Sequence, residues 1–332
     1  MPFDSTPAGC PMGDIGSDIK QNLKYIRKKL KEKYGDETPA RTFHAKSIGL
    51  VEAKLEVPDI RHKSDKNFRV GLFEKPGMYK AWIRFTNGSD NPNSADGKSG
   101  ARGMAIKVLN VPGTSFLDKD QHGNTQDIIL LTSRNFVPGT GGLSLNGVKV
   151  ALGTLGEKII NFLEVVSVST RGVLTFIKSP IKTPNILEEM YFSCTPYAFG
   201  DKQAIKWHVK PLKTITSLMP IEPVENFLRE RLIRDLSKYA KEDVSFALYV
   251  QFQENPEKEP IDNSAVIWKT KFYRVATIHI PKQKLNTPER MEMDKKLTFS
   301  PGHASMEHRP LGTVNAVRRK VYEVLAKERL AH

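Results

Sequence analysis

Cysteine is scarce: the 332 residues hold two, Cys10 and Cys194. Lying far apart in sequence, they support neither a disulfide framework nor a Cys-x-x-Cys zinc or iron–sulfur site. Long apolar runs are missing as well. None reaches the roughly eighteen residues of a membrane span, and Met1-Pro2-Phe3-Asp4-Ser5-Thr6 lacks the basic-then-apolar order of a signal peptide, so a cytoplasmic protein is expected. The Gly-x-Ser-x-Gly elbow and the His-Glu-x-x-His pair are absent, and the eight histidines show no zinc spacing, which leaves hydrolase readings weak. Gly139-Thr140-Gly141-Gly142 has neither a strand-to-helix setting for a dinucleotide nor the lysine of a phosphate-binding loop. Internal repeats and low-complexity segments are lacking too.

What the chain does have is a core. With 39% hydrophobic and 27% charged residues it can fold as one large domain. The net charge of +14 is spread along the whole length without interleaved aromatics, so no nucleic-acid partner is expected. Residues 1–16, dense in Gly and Pro, read as a flexible arm; residues 17–332 read as the domain. Cys10, in Gly9-Cys10-Pro11 of that arm, reads as an ordinary surface thiol. Ser17 resembles an N-cap, after which Ile19, Leu23, Ile26, Leu30 and Tyr34 share one helical face. The opposite face carries Lys20, Lys24, Arg27, Lys28 and Lys31. A solvated basic face is the plain reading; peripheral contact of helix 19–34 with an anionic membrane is the alternative.

From about residue 40 the pattern changes to short strands, over Thr42–Val57, Met78–Thr86, Gly103–Val111 and Asp127–Thr132. Helices are expected over 157–178 and 223–240, strands over Val244–Phe252 and Ala265–Ile280, and a final helix over Thr313–Leu330. That order points to an α+β fold with an antiparallel core.

Chemistry enters at the final helix, where Arg318 and Tyr322 stand four residues apart and share a face. A nearby guanidinium favours the tyrosinate form, and so does ferric haem, for which phenolate is a known axial ligand. Taken alone the pair is a core tyrosine beside a surface arginine. Other segments change that reading. Arg41-Thr42-Phe43-His44-Ala45-Lys46 resembles the distal-histidine segment of haem catalases, Ile83-Arg84-Phe85-Thr86 their Val-Arg-Phe-Ser strand, and Arg102-Gly103-Met104-Ala105-Ile106-Lys107 their Arg-Gly-Phe-Ala-x-Lys strand. Gly123-Asn124-Thr125-Gln126-Asp127 is similar to their Gly-Asn-Trp-Asp turn. Leu297-Thr298-Phe299-Ser300-Pro301, His308-Arg309-Pro310-Leu311-Gly312 and Asn315-x-x-Arg318-x-x-x-Tyr322 resemble the small catalase-related proteins. The likeness runs from about residue 38 onward and is faint between roughly 140 and 240.

The resemblance implies an antiparallel β-barrel surrounded by helices, with haem b between the barrel and the last helix. It makes Tyr322 the iron ligand, Arg318 the cation that lowers its pKa, His44 the distal base, and Arg41, Arg84 and Arg329 the partners of the haem propionates. The implied activity is cleavage of a peroxide substrate, by peroxidase or weak catalase chemistry with a small organic electron donor. Rearrangement of a fatty-acid hydroperoxide, as in allene oxide synthase, and a haem-binding module with little turnover are the alternatives. A homodimer is left open as the assembly. Two departures stand out. The place of the distal asparagine falls on Leu131 or Thr132, with Asn124 and Asn135 the nearest asparagines, and Phe43 replaces the small residue before the distal histidine, where its ring is expected to crowd the channel. The short chain implies a more open channel.

Overall fold

Alternation along the first strand, β1 (Ser47–Val57), sets the architecture. Ile48, Val51, Ala53, Leu55 and Val57 are buried in the main core, while Glu52, Lys54 and Glu56 are exposed, as the two-residue period of a half-buried strand requires. The computed structural model describes residues 12–35, 41–60, 66–89, 91–97, 100–117, 123–136, 149, 183–213, 216–240 and 243–331. Cys10 and the expected helix over 157–178 lie outside them.

The remaining strands are β2 (Gly77–Asn87), β3 (Arg102–Leu109), β4 (Thr125–Leu131), β5 (Tyr191–Phe192), β6 (Tyr197–Phe199), β7 (Gln203–Pro211), β8 (Val244–Phe252) and β9 (Phe272–Ile280). They pair in the order β5-β4-β3-β2-β1-β9-β8-β7-β6, every pairing antiparallel. A further pairing of β5 with β7, Tyr191 to Val209 and Phe192 to His208, closes eight of the strands into a barrel. β6 is the ninth, attached to β7. Closure leaves no long unpaired edge among the described residues. The interior is apolar and aromatic, with Ile83, Phe85, Ile106, Ile128, Trp207, Phe246 and Ile278 all fully buried.

Four helices accompany the barrel among the described residues: α1 (Met12–Tyr34), α2 (Phe227–Asp235), α3 (Pro288–Lys296) and α4 (Thr313–Leu330). α1 begins five residues before Ser17, so residues 12–16 are helix rather than arm. Its apolar face packs on α4, where Leu23 and Ile26 meet Val317 and Val321; Lys20, Lys24, Arg27, Lys28 and Lys31 face solvent. An ion pair of Arg27 with Glu328 ties the two helices. No helix among the described residues is long and apolar enough to cross a membrane.

Candidate functional site

The outer wall of the barrel carries the candidate site. On β2, Ile83 and Phe85 point into the core, so by the same period Arg84 and Thr86 face outward. On β3 the interior residues are Met104 and Ile106, which puts Gly103 on the outer wall beside Thr86, its ladder partner.

His44 sits against this wall. Its backbone is left-handed, φ +52°, a conformation a non-glycine residue adopts only when its surroundings impose it. The side chain is held by a 2.9 Å hydrogen bond between Nδ1 and Thr86 Oγ1. Gly103 supplies the space: a Cβ there would lie 2.9 Å from His44 Nδ1 and closer still to Thr86 Oγ1. Burial, followed by the charge of Arg84, pushes the imidazole down to about 4, so it is a neutral base near neutral pH.

Arg84 bridges two elements. Its Nε pairs with Asp294 Oδ1 of α3 at 2.7 Å, and one terminal nitrogen donates to the backbone carbonyl of His44 at 3.2 Å. Arg41 donates from a single terminal nitrogen to two backbone carbonyls, of Asp294 and Leu297. Arg329, at the far end of α4, is the third member. Burial, Arg84 and Arg329 hold Arg41 well below the ordinary arginine value; burial, then Arg84, bring Arg329 to about 10. Asp294 is kept below the usual carboxylate range because Arg84, followed by Arg41, outweighs its burial. Arg329 Nε is enclosed without a hydrogen-bond partner. Three arginines against one carboxylate leave two net positive charges, the complement of a dicarboxylate, and guanidinium forks suit carboxylates.

α4 supplies the other half of the site. Positions 318, 322 and 329 fall on one helical face, whereas Val317, Val321 and Val324 face α1 and Lys320, Glu323 and Lys327 form a solvent-side ion-pair cluster. The 3.6-residue period thus gives the helix three separate jobs. The Arg318 guanidinium lies 5.6 Å from the Tyr322 ring centroid and donates to Thr195 Oγ1 and Asn315 Oδ1 at 3.0 and 3.1 Å. Among the described residues no carboxylate reaches it. Burial works to depress Arg318, but Tyr322 and Tyr197 outweigh that and hold it above its ordinary value. Tyr322 also acts electrostatically on Arg41, and Arg318 on His44, so both halves belong to one site. His44, Arg41, Arg318, Tyr322 and Arg329 each keep part of their surface accessible.

All six residues expected from the sequence therefore converge. Phe43 was expected to crowd the channel; its ring packs in the apolar seam of α1 and α4. Leu131 stands opposite Gly103 in the ladder of β3 and β4, next to the His44 pocket. Thr132 Oγ1 accepts from the Arg102 amide, and Asn135 is buried with its amide bonded to Ser133 and Ala265. Asp294, Thr195 and the amide role of Asn315 were missed. Thr287, capping Arg290 before Pro288, was the available signal for α3.

Comparison of the sequence with protein-family models and with curated protein sequences returns no match. Solved structures do match. A fungal catalase aligns over 99% of this chain and 66% of its own, with TM-score 0.66 and 15% identity. Catalase A from Saccharomyces cerevisiae aligns over 92% and 64%, with TM-score 0.66 and 15% identity. A bacterial catalase aligns over 92% and 60%, with TM-score 0.65 and 12% identity. The chain thus spans less than two thirds of the length of these catalases, and its fold is catalase-like.

Proposed function

We propose that this protein, on its catalase-like fold, binds haem b between the outer barrel wall and α4 and uses it to cleave a hydroperoxide. One observation carries the reading: an arginine-flanked tyrosine, a neutral histidine and three arginines that with Asp294 carry a net charge of +2 meet at one place. The donor set fits the group. Tyr322 would ligate the iron and Arg41, Arg84 and Arg329 would take the two propionates, with the enclosed Arg329 Nε as a waiting donor. When bound, haem supplies a redox-active iron able to hold the two oxidising equivalents released as the O–O bond breaks.

The chain's own residues supply position and protons. Arg318, whose hydrogen bonds to Thr195 Oγ1 and Asn315 Oδ1 go to neutral acceptors, would keep its full charge for a Tyr322 phenolate. With Nδ1 engaged by Thr86 Oγ1, the neutral imidazole of His44 would take the proton of the peroxide at its other ring nitrogen and return it to the leaving oxygen. The overall reaction consumes a hydroperoxide, two protons and two electrons and yields an alcohol, or water, plus water. Leu131 beside the pocket offers no amide for a second hydrogen peroxide, which favours an organic electron donor. The exposed basic face of α1 supports a peripheral contact with anionic lipid.

The test loads the protein with hemin and compares oxygen release from hydrogen peroxide, donor oxidation with an alkyl hydroperoxide, and conversion of a polyunsaturated fatty-acid hydroperoxide, each repeated in His44→Ala. Donor oxidation that falls about 10²-fold or more in the variant is expected. An allene oxide product would move the reaction to hydroperoxide rearrangement. Bound hemin without turnover on any of the three would overturn the enzymatic reading.

A further inference from the structure

α3 buries no residue, yet it delivers one carboxylate, Asp294, to the arginine that also holds the backbone carbonyl of His44. The side chain of Asp294 is 13% exposed and that of Arg84 7%. Of the donors on Arg84, Nε is taken by Asp294 Oδ1, and one terminal nitrogen by the His44 carbonyl; the other terminal nitrogen has no partner among the described residues. The backbone carbonyl of the same Asp294 also receives Arg41. One residue therefore orients two arginines, and Arg84 passes the constraint to the backbone of a residue held at φ +52°.

We propose that Asp294 is a positioning residue that couples the propionate-binding arginines to the distal base: through Arg84 it fixes the donor presented to a carboxylate and the carbonyl of His44 together. This rests on the haem reading above and deepens it. The role is positional rather than catalytic, since Asp294 acts through the arginines and not on the reacting atoms. Its charge matters as well, because it sets the cluster at +2 rather than +3, matching two propionates. A carboxamide at 294 can still accept from Arg84 Nε, whereas alanine cannot. The two substitutions hence separate orientation from charge.

The experiment titrates hemin and hemin dimethyl ester into the full chain, Asp294→Asn and Asp294→Ala, then measures in saturated samples how fast cyanide binds, a step that requires the distal base and no turnover. Asp294→Ala is expected to weaken hemin binding about tenfold and to slow cyanide binding by a similar factor. Asp294→Asn should recover the cyanide rate to within about twofold. With the dimethyl ester, which offers no carboxylate, the affinity loss in Asp294→Ala should vanish while the slow cyanide rate persists. Asp294 lies near the surface, and a thermal melt of each variant confirms that it is folded. If Asp294→Ala binds hemin and cyanide as the unmodified protein does, or if Asp294→Asn is as slow as alanine, the coupling is wrong while the haem reading stands. If the unmodified protein takes up no hemin, the haem reading itself falls.

Discussion

Replacing Gly103 by alanine adds one methyl group at the point where the barrel wall meets the distal histidine. The new Cβ would lie 2.9 Å from His44 Nδ1 and 3.1 Å from its Cε1, and nearer still to Thr86 Oγ1. The strand cannot retreat, because Gly103 is laddered to Thr86 on one side and Leu131 on the other. Nor can His44 swing freely, its backbone being set in the left-handed region. Overpacking of this kind costs about 1–3 kcal/mol, and it breaks the 2.9 Å bond that orients the imidazole. Displacing an acid–base group by roughly 1 Å costs on the order of 10²-fold in rate. Gly103→Ala should thus lower the urea midpoint, keep hemin affinity within about threefold since no propionate donor is touched, and slow peroxide cleavage about 10² -fold. Gly16→Ala, where a Cβ meets nothing within 4 Å, serves as the control and should be neutral or slightly stabilising. Unchanged rate and stability in Gly103→Ala would refute the placement of His44.

Other consequences are open to measurement. His208 and His308 are both buried and held at about 4 by desolvation, against 6.5 for an ordinary histidine. The unfolded chain takes up these protons first, so stability is complete above pH 6.5 and is lost as pH falls toward 4, by up to about 1.4 kcal/mol per unit for each; urea midpoints between pH 7 and 4 check the slope, and a flat profile contradicts it. Phe43→Val should destabilise the seam of α1 and α4 by about 1–2 kcal/mol while leaving the balance of oxygen release to donor oxidation unaltered; a changed balance would return Phe43 to the channel. Thr86→Val should slow cleavage and Thr86→Ser restore most of it, and equal rates in all three proteins would remove Thr86 from the support of His44.

The sequence was most legible where side-chain period and burial coincide. Val244–Phe252 and Thr313–Leu330 match β8 and α4 at both ends, since each alternates or repeats against a single apolar core. β5, β6 and β7 were invisible: two are only two and three residues long, and in β7 Lys206 and His208 are buried on the outer side as well, which erases alternation. α3 escaped for the opposite reason, having no buried face to impose a helical period. The candidate site residues were named through motif resemblance, and the structure brings them together. Their supporting contacts were not legible, because Asp294 reaches Arg84 across 210 positions and Thr195 reaches Arg318 across 123. Phe43 shows the limit of adjacency: neighbouring in sequence to His44, it packs in the apolar seam of α1 and α4.

The central claim is that Tyr322, beside Arg318, is the ligand of a haem iron, and a hemin titration followed by absorption spectroscopy meets it most directly. The unmodified protein should take up one equivalent and give the spectrum of a high-spin ferric haem with a phenolate ligand, and Tyr322→Phe should lose that spectrum or the hemin itself. An identical spectrum in Tyr322→Phe, or no uptake by the unmodified protein, would contradict the account.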